Sequence, residues 1–232
     1  MKKCISVLIL LAIAAGGAFA LDLSAGGGLL FGLAARNGIK AEGTTVDFEG
    51  YIGARNLDIG GVLFFDATYA EFDFYFAYGK CFGVFEKDFD TDSYKGTPFG
   101  KMMKGSMMQL GFSLVGKYPF DLGKLTVFPL AGISYNLVLS YKNEDGVSSS
   151  DTYKEAPEPI SFSQFGFLAG AGLDLSLTSA LFLRTELALQ IRLPSKGMKD
   201  LADLVEDEIP GVKADATVGL GPRFKLCLGY KF

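Results

Sequence analysis

The chain has 232 residues, 22 of them basic and 26 acidic, and it contains no histidine. The mild acidic balance excludes a basic face for nucleic acid and a polybasic membrane tether. Lack of histidine excludes the usual Ser–His or Asp–His catalytic arrangements. Thirty glycines, 21 phenylalanines and 10 tyrosines favour strands and turns over helices.

Residues 1–20 read as a secretory signal. Met1-Lys2-Lys3 supplies the positive start, an apolar run follows from Ile5 to Phe19, and Ala18-Phe19-Ala20 has the small-x-small form cut after Ala20. The run is shorter than the ~20 residues of a spanning helix. Cys4 lies too far from the cleavage site to carry a lipid. Residues 21–232 are expected to form one domain of 212 residues with 20 bases and 26 acids, and no later stretch is apolar enough for a helical span.

From Leu21 onward the sequence alternates with period two, the mark of strands with two different faces. Segment 21–35 places Leu23, Leu29, Phe31 and Leu33 on one face, with Asp22, Ser24 and glycines on the other. Segment 57–67 offers Leu57, Ile59, Leu63 and Phe65; just before it, Val46, Phe48, Ile52 and Ala54 have the opposite parity. A slip near Arg55-Asn56 therefore requires either a bulge in a long second strand or a separate outer piece over 46–54. Segment 69–84 alternates Phe72, Phe74, Phe76 and Tyr78 with Glu71 and Asp73, and segment 107–118 alternates Met108 to Tyr118 with Gln109, Ser113 and Lys117. Segment 125–141 is apolar at every odd position, with Phe128 among a mixed even set, and is long for a soluble strand. It suits a tilted strand crossing a bilayer. Segments 163–177 and 181–193 repeat the pattern, with Gln164 and Asp174, then Arg184, Glu186, Gln190 and Arg192, on the polar face. Between Gly197 and Ile209, Met198, Leu201, Ala202 and Val205 recur at helical spacing, which predicts a short amphipathic helix able to act as a lid. Segment 215–232 closes the set.

These eight segments predict an all-β, eight-stranded antiparallel up-and-down transmembrane β-barrel. Short connections fall near 66–68, 119–124 and 178–180, and long ones near 36–56, 85–106, 142–162 and 194–214. That alternation puts both termini on the short-turn, periplasmic side. A soluble ligand-binding barrel would invert the faces, with charges outward and the apolar face inward.

The last residues, Phe224, Leu226, Leu228, Tyr230 and Phe232, are hydrophobic at every second position and end on phenylalanine. They resemble the C-terminal assembly signal of bacterial outer-membrane proteins. With the signal peptide and the seven earlier segments, the chain is similar to the small barrels of the OmpA membrane domain, OmpX and OmpW type. The resemblance is architectural and spans essentially all of 21–232. It implies a location in the bacterial outer membrane, outer-membrane lipid as surroundings, recognition by the barrel-assembly machinery through the last strand, and a host or environmental ligand at the loops.

An eight-stranded barrel holds only its own side chains or one small ligand. Asp22, Glu71, Asp73, Asp174 and Glu186 against Arg184, Arg223, Lys225 and Lys231 form an inward charged set, expected to pair as a plug because isolated charges in a narrow lumen are costly. Inward glycines such as Gly79, Gly132, Gly166, Gly170, Gly219 and Gly221 suggest a partly hollow outer half. Glu71 with Asp73 is better read as ion-paired lining than as catalytic carboxylates, and the acids from Asp200 to Glu208 lack calcium-loop spacing. No catalytic residue, metal or cofactor is expected. Two functions fit: a structural or surface-exposed interaction barrel, or, as the OmpW resemblance implies, uptake of small hydrophobic molecules at the outer mouth with lateral release. Cys81 and Cys227, both at inward positions, should differ in depth by roughly 20 Å and remain unbonded.

Overall fold

The computed structural model describes residues 22–44, 49–87, 105–143, 163–208 and 211–232. The expected signal peptide lies outside the described residues. Ten strands form one sheet: β1 Leu23–Gly43, β2 Glu49–Ala67, β3 Ala70–Lys87, β4 Gly105–Lys117, β5 Phe120–Asp121, β6 Leu125–Asn143, β7 Gln164–Ser176, β8 Leu181–Arg192, β9 Val212–Ala216 and β10 Gly219–Lys231. β5 only broadens a turn, and β9 and β10 together make the eighth staff of the wall. Every neighbouring pair is antiparallel, and β10 pairs with β1, so the sheet closes as an eight-stranded barrel.

The stagger of the barrel can be read from paired residues. Starting at Ala25 and stepping through Phe65, Phe72, Leu114, Ile133, Phe167, Ile191 and Leu220, the path returns to β1 at Ala35, ten residues further along. Eight strands with that stagger tilt by about 40° and rise about 2.5 Å per residue along the axis. From Phe65 to Leu220 every residue of this ring is an exposed apolar one. On β6 the outward apolar face runs from Val127 to Leu139, about 30 Å of axis at that rise, which matches the hydrocarbon core of a bilayer. Tyr69, Tyr118, Phe120, Tyr230 and Phe232 ring the short-turn rim, in contact as Tyr69–Tyr118, Tyr118–Phe120 and Tyr230–Phe232 pairs. A closed barrel with an apolar wall, an aromatic girdle and a charged interior belongs to the outer-membrane class of β-barrels.

Tight turns occupy one rim. Thr68 adopts φ 50 between β2 and β3, and its Oγ1 accepts a hydrogen bond from Asp22 N at 3.0 Å. Gly123 takes φ 86, with its N–H donating to Asp121 Oδ1 at 2.8 Å. The long connections lie at the other rim, and there the expected boundaries change. β1 extends to Gly43 and β2 begins at Glu49, so most of the expected 36–56 loop is a projecting hairpin. The expected slip near Arg55-Asn56 does not occur, because β2 keeps one unbroken register against β3; a bulge lies in β1 instead, between Ala34 and Asn37. A second irregularity, between Met108 and Gln109 of β4, leaves one extra residue on β6. Within the expected 194–214 loop, Lys196–Glu208 forms helix α1. Ser195 caps it by accepting the Met198 N–H at 3.2 Å. Met198 and Ala202 are buried, Leu204 is exposed, and Glu206 accepts the Ala214 N–H at 2.8 Å. α1 thus packs beside β9 and β1 at the outer rim. Of the expected loops at 85–106 and 142–162, residues 88–104 and 144–162 lie outside the described residues.

A candidate site in the barrel lumen

Alternation sends every second side chain of each strand into a narrow interior, and charged side chains there must find partners. The lower lumen, nearest the short turns, is built around Arg184 of β8. Its Nε and Nη2 donate to Asp174 at 2.7 and 2.6 Å, Nη2 reaches Asp66 at 2.6 Å, and Nη1 bonds Glu71. Three rings enclose the guanidinium: Phe64 at 4.6 Å, Phe182 at 5.0 Å and Phe128 at 5.4 Å. Arg184 is 1% exposed.

The network climbs from there. Lys117 of β4 pairs with Asp66 and lies 3.8 Å from Glu71. Lys225 of β10 pairs with Glu71, with Asp73 at 3.0 Å and with Glu186 at 2.8 Å. Arg223 closes the top, donating to Asp73 at 2.9 Å and to Ser113 Oγ at 3.2 Å. Four cations thus serve five carboxylates, and a ladder of different strands supplies each partner. Beside this layer, Val115, Leu130, Leu168 and Ala188 line a small void bounded by Asp73, Glu186, Arg223 and Lys225, with room for about one water-sized molecule.

Above the plug the lining mixes polar side chains with buried apolar ones such as Ala77, Cys81 and Met107. Arg192 donates to Asp58 at 2.9 Å and to Gln190 at 3.2 Å, Gln190 donates to Ser134 at 3.0 Å, and the Tyr75 hydroxyl bonds Asn136. Several of the inward glycines here are closely packed against their neighbours. A Cβ on Gly79 would strike Asp58, one on Gly166 would approach Ser134 at 3.1 Å, and those on Gly132, Gly170 and Gly221 would strike the backbone of a neighbouring strand. Lower down, Gly172 receives the Phe128 ring and Gly229 the Phe182 ring, and beside Asn136 Gly111 receives the Tyr75 ring. Glycine at 172, 229 and 111 makes room for large rings inside the barrel.

Of the nine residues expected in the inward charged set, Glu71, Asp73, Asp174, Arg184, Glu186, Arg223 and Lys225 meet in one network. Asp22 and Lys231 do not. They have the inward parity, but both lie at the ends of their strands and are exposed at the rim, with Lys231 Nζ 5.6 Å from the Phe182 ring. Asp66, Lys117, Asp58 and Arg192 were missing from that set although all four share the parity of their inward neighbours; Asp66 looked like part of a turn, and β2 runs one residue beyond it. Phe224, Leu226, Leu228, Tyr230 and Phe232 all face away from the lumen on β10, and Phe232 is 77% exposed. Cys81 and Cys227 are buried and unbonded. The register explains why: Cys227 lies level with Gly28, Val62 and Tyr75, and Tyr75 is six residues below Cys81 on β3, about 20 Å along the strand. Among the described residues no cluster of carboxylates and thiols is arranged to hold a metal ion.

No family model and no curated protein matches the chain. Solved structures to which the chain is similar include the outer membrane protein OprG from Pseudomonas aeruginosa, at 12% identity and TM-score 0.47, covering 91% of this chain and 96% of that one. Neisserial surface protein A aligns at 15% identity and TM-score 0.42, covering 90% and 97% of the two chains. The outer membrane protein AlkL, solved in DMPC bilayers, aligns at 13% identity and TM-score 0.39, covering 91% and 90%.

Proposed function

We propose that the chain is a non-enzymatic outer-membrane barrel with a plugged lumen, structural in the membrane and interacting with the host or the environment through its long outer connections. The observation that carries this reading is the lower network: Arg184, Glu71, Asp73 and Lys225 are each 1% exposed and joined across the lumen by ion pairs. A passing solute would have to break several buried pairs, each loss costing about 3–5 kcal/mol when one partner is left unpaired. The outward-facing final strand, ending at Phe232, suits recognition by the assembly machinery. In planar bilayers the refolded chain should show no sustained conductance steps. Stable channels of porin size would refute the plug.

One observation favours a second reading, uptake of small apolar molecules from the outer mouth with release sideways into lipid. The β1–β10 ladder pairs Gly32 with Arg223 and Ala35 with Leu220 but skips Leu33 and Ala34, opposite Pro222 and Gly221. Proline has no N–H to donate, so the seam lacks ladder bonds just above the plug. Liposomes containing the protein should then take up a fluorescent hydrophobe faster than empty ones, and Pro222→Ala should slow the uptake. Uptake equal to that of empty liposomes would reject this reading.

A further inference from the structure

Over the membrane-facing wall the outward side chains are apolar or small until the strands near the outer rim. Three cations then emerge: Arg55 on β2, Lys80 on β3 and Lys142 on β6, all exposed and all at outward positions. The register gathers them. Lys80 pairs with Leu57, two residues from Arg55, and on its other side with Ser106 of β4, which pairs with Lys142. Arg55 and Lys80 are therefore diagonal neighbours about 7–8 Å apart, and Lys142 stands two strands, about 10 Å, beyond Lys80. With strands tilted by about 40°, the three leave the wall within about 6 Å of one another in depth.

Their surroundings are one-sided. Below them the wall turns apolar, with Leu57 51% exposed under Arg55, Tyr78 44% under Lys80, and Leu139 51% under Lys142 beyond Ser140. Among the described residues no acid pairs with any of the three. Elsewhere on the same rim the pattern differs. Lys40 on β1 is paired with Glu42, and Lys213 and Asp215 on β9 alternate in sign. β7, β8 and β10 present Phe165, and Leu193 and Val218 just past or before the strands, at comparable depth. Cations with no acidic partner among the described residues, on top of a lipid-facing apolar strip, sit where the headgroups of the outer leaflet lie. Their spacing suits more than one phosphate on a single headgroup, and each basic residue near such a surface contributes about 1 kcal/mol of attraction.

We propose that Arg55, Lys80 and Lys142 form a binding site for the phosphorylated headgroup of an outer-leaflet lipid, whose acyl chains lie along the apolar face of β2, β3, β4 and β6. The proposal rests on the long-connection rim facing outward, as in the reading above. A lipid fits better than a soluble anion because the cations project from the membrane wall, not from the lumen, and continue directly into apolar surface.

The test is native mass spectrometry of the full chain refolded in neutral detergent and titrated with bisphosphorylated lipid A. The wild-type protein should retain the lipid, and the Arg55→Gln/Lys80→Gln/Lys142→Gln variant should bind on the order of 100-fold more weakly. Dephosphorylated lipid A should bind both proteins equally weakly. A charge-conserving Arg55→Lys/Lys142→Arg variant should retain the lipid within about threefold of wild type, which keeps the test informative if the neutral triple variant misfolds. Equal retention of bisphosphorylated lipid by the neutral variant, or of dephosphorylated lipid by the wild type, would overturn the proposal. So would binding of a soluble sulfated oligosaccharide that depends on the three cations while lipid retention does not. Channel activity in bilayers would refute the plug and leave this readout untouched, so the two failures are distinguishable.

Discussion

Removing Arg184 is the most direct probe of the plug. In Arg184→Met, Glu71 keeps Lys225, and Asp66 keeps Lys117 and the Ser24 hydroxyl at 3.4 Å, but Asp174 loses both bonds that its carboxylate receives from the guanidinium. One buried carboxylate without a cation implies a loss of about 3–5 kcal/mol. Removing its charge as well, in Arg184→Met/Asp174→Asn, takes away the orphan, so the double variant should be more stable than the Arg184 single variant by about 2 kcal/mol. Arg184→Lys should fall between wild type and the methionine variant, because a single ammonium cannot span three carboxylates as the planar guanidinium does. Urea titration of the refolded barrel in detergent, followed by loss of the heat-modifiable band, measures wild type, these three variants and the Asp174→Asn single variant. A single variant within about 1 kcal/mol of wild type, or a double variant as unstable as the sum of the singles, would show that the network is not a coupled unit.

Three further outcomes are expected. Gly172→Ala pushes a methyl group into the Phe128 ring and the Glu186 stem, so it should lower stability by about 1–3 kcal/mol, and Phe128→Leu in the same chain should recover part of that loss in the same urea titration. Deleting the exposed Phe232 should reduce the amount of folded, heat-modifiable protein in the outer membrane without changing the stability of what does fold; unchanged yield would remove the terminal strand's role in assembly. Non-reducing mass spectrometry should find no Cys81–Cys227 bridge, and both thiols should resist alkylation until the barrel is unfolded, since both are buried.

The strand count, the faces and the identity of most lumen charges were legible because a strand's side chains alternate strictly. Parity alone assigns Arg184, Glu186, Arg223 and Lys225 to the interior, and Leu63, Phe65 and Leu187 to the wall. The amphipathic period over 197–209 was legible for the same kind of reason, one helical face carrying Met198 and Ala202. Parity says nothing about depth, however, and depth decides which inward charges reach the network. Asp22 and Lys231 share the inward parity yet stand outside the ladder, while Asp66 and Lys117, two residues from turns, reach into the network.

What the sequence determined by itself, then, was the one-dimensional pattern: which segments are strands, which of their faces meets lipid, and that charges of both signs share the interior. Period two is a local property of each strand and needs no partner to be visible. Only the tertiary structure decided which charges pair, because pairing depends on the stagger between strands. That stagger accumulates ten residues around the wall and brings Glu71 of β3 against Arg184 of β8 and Lys225 of β10, 113 and 154 residues away in sequence. It also decided how the lower lumen is filled. A glycine in the sequence looks like missing volume, but at Gly172 and Gly229 the volume belongs to rings reaching across from other strands, Phe128 and Phe182, and only the closed barrel brings them there.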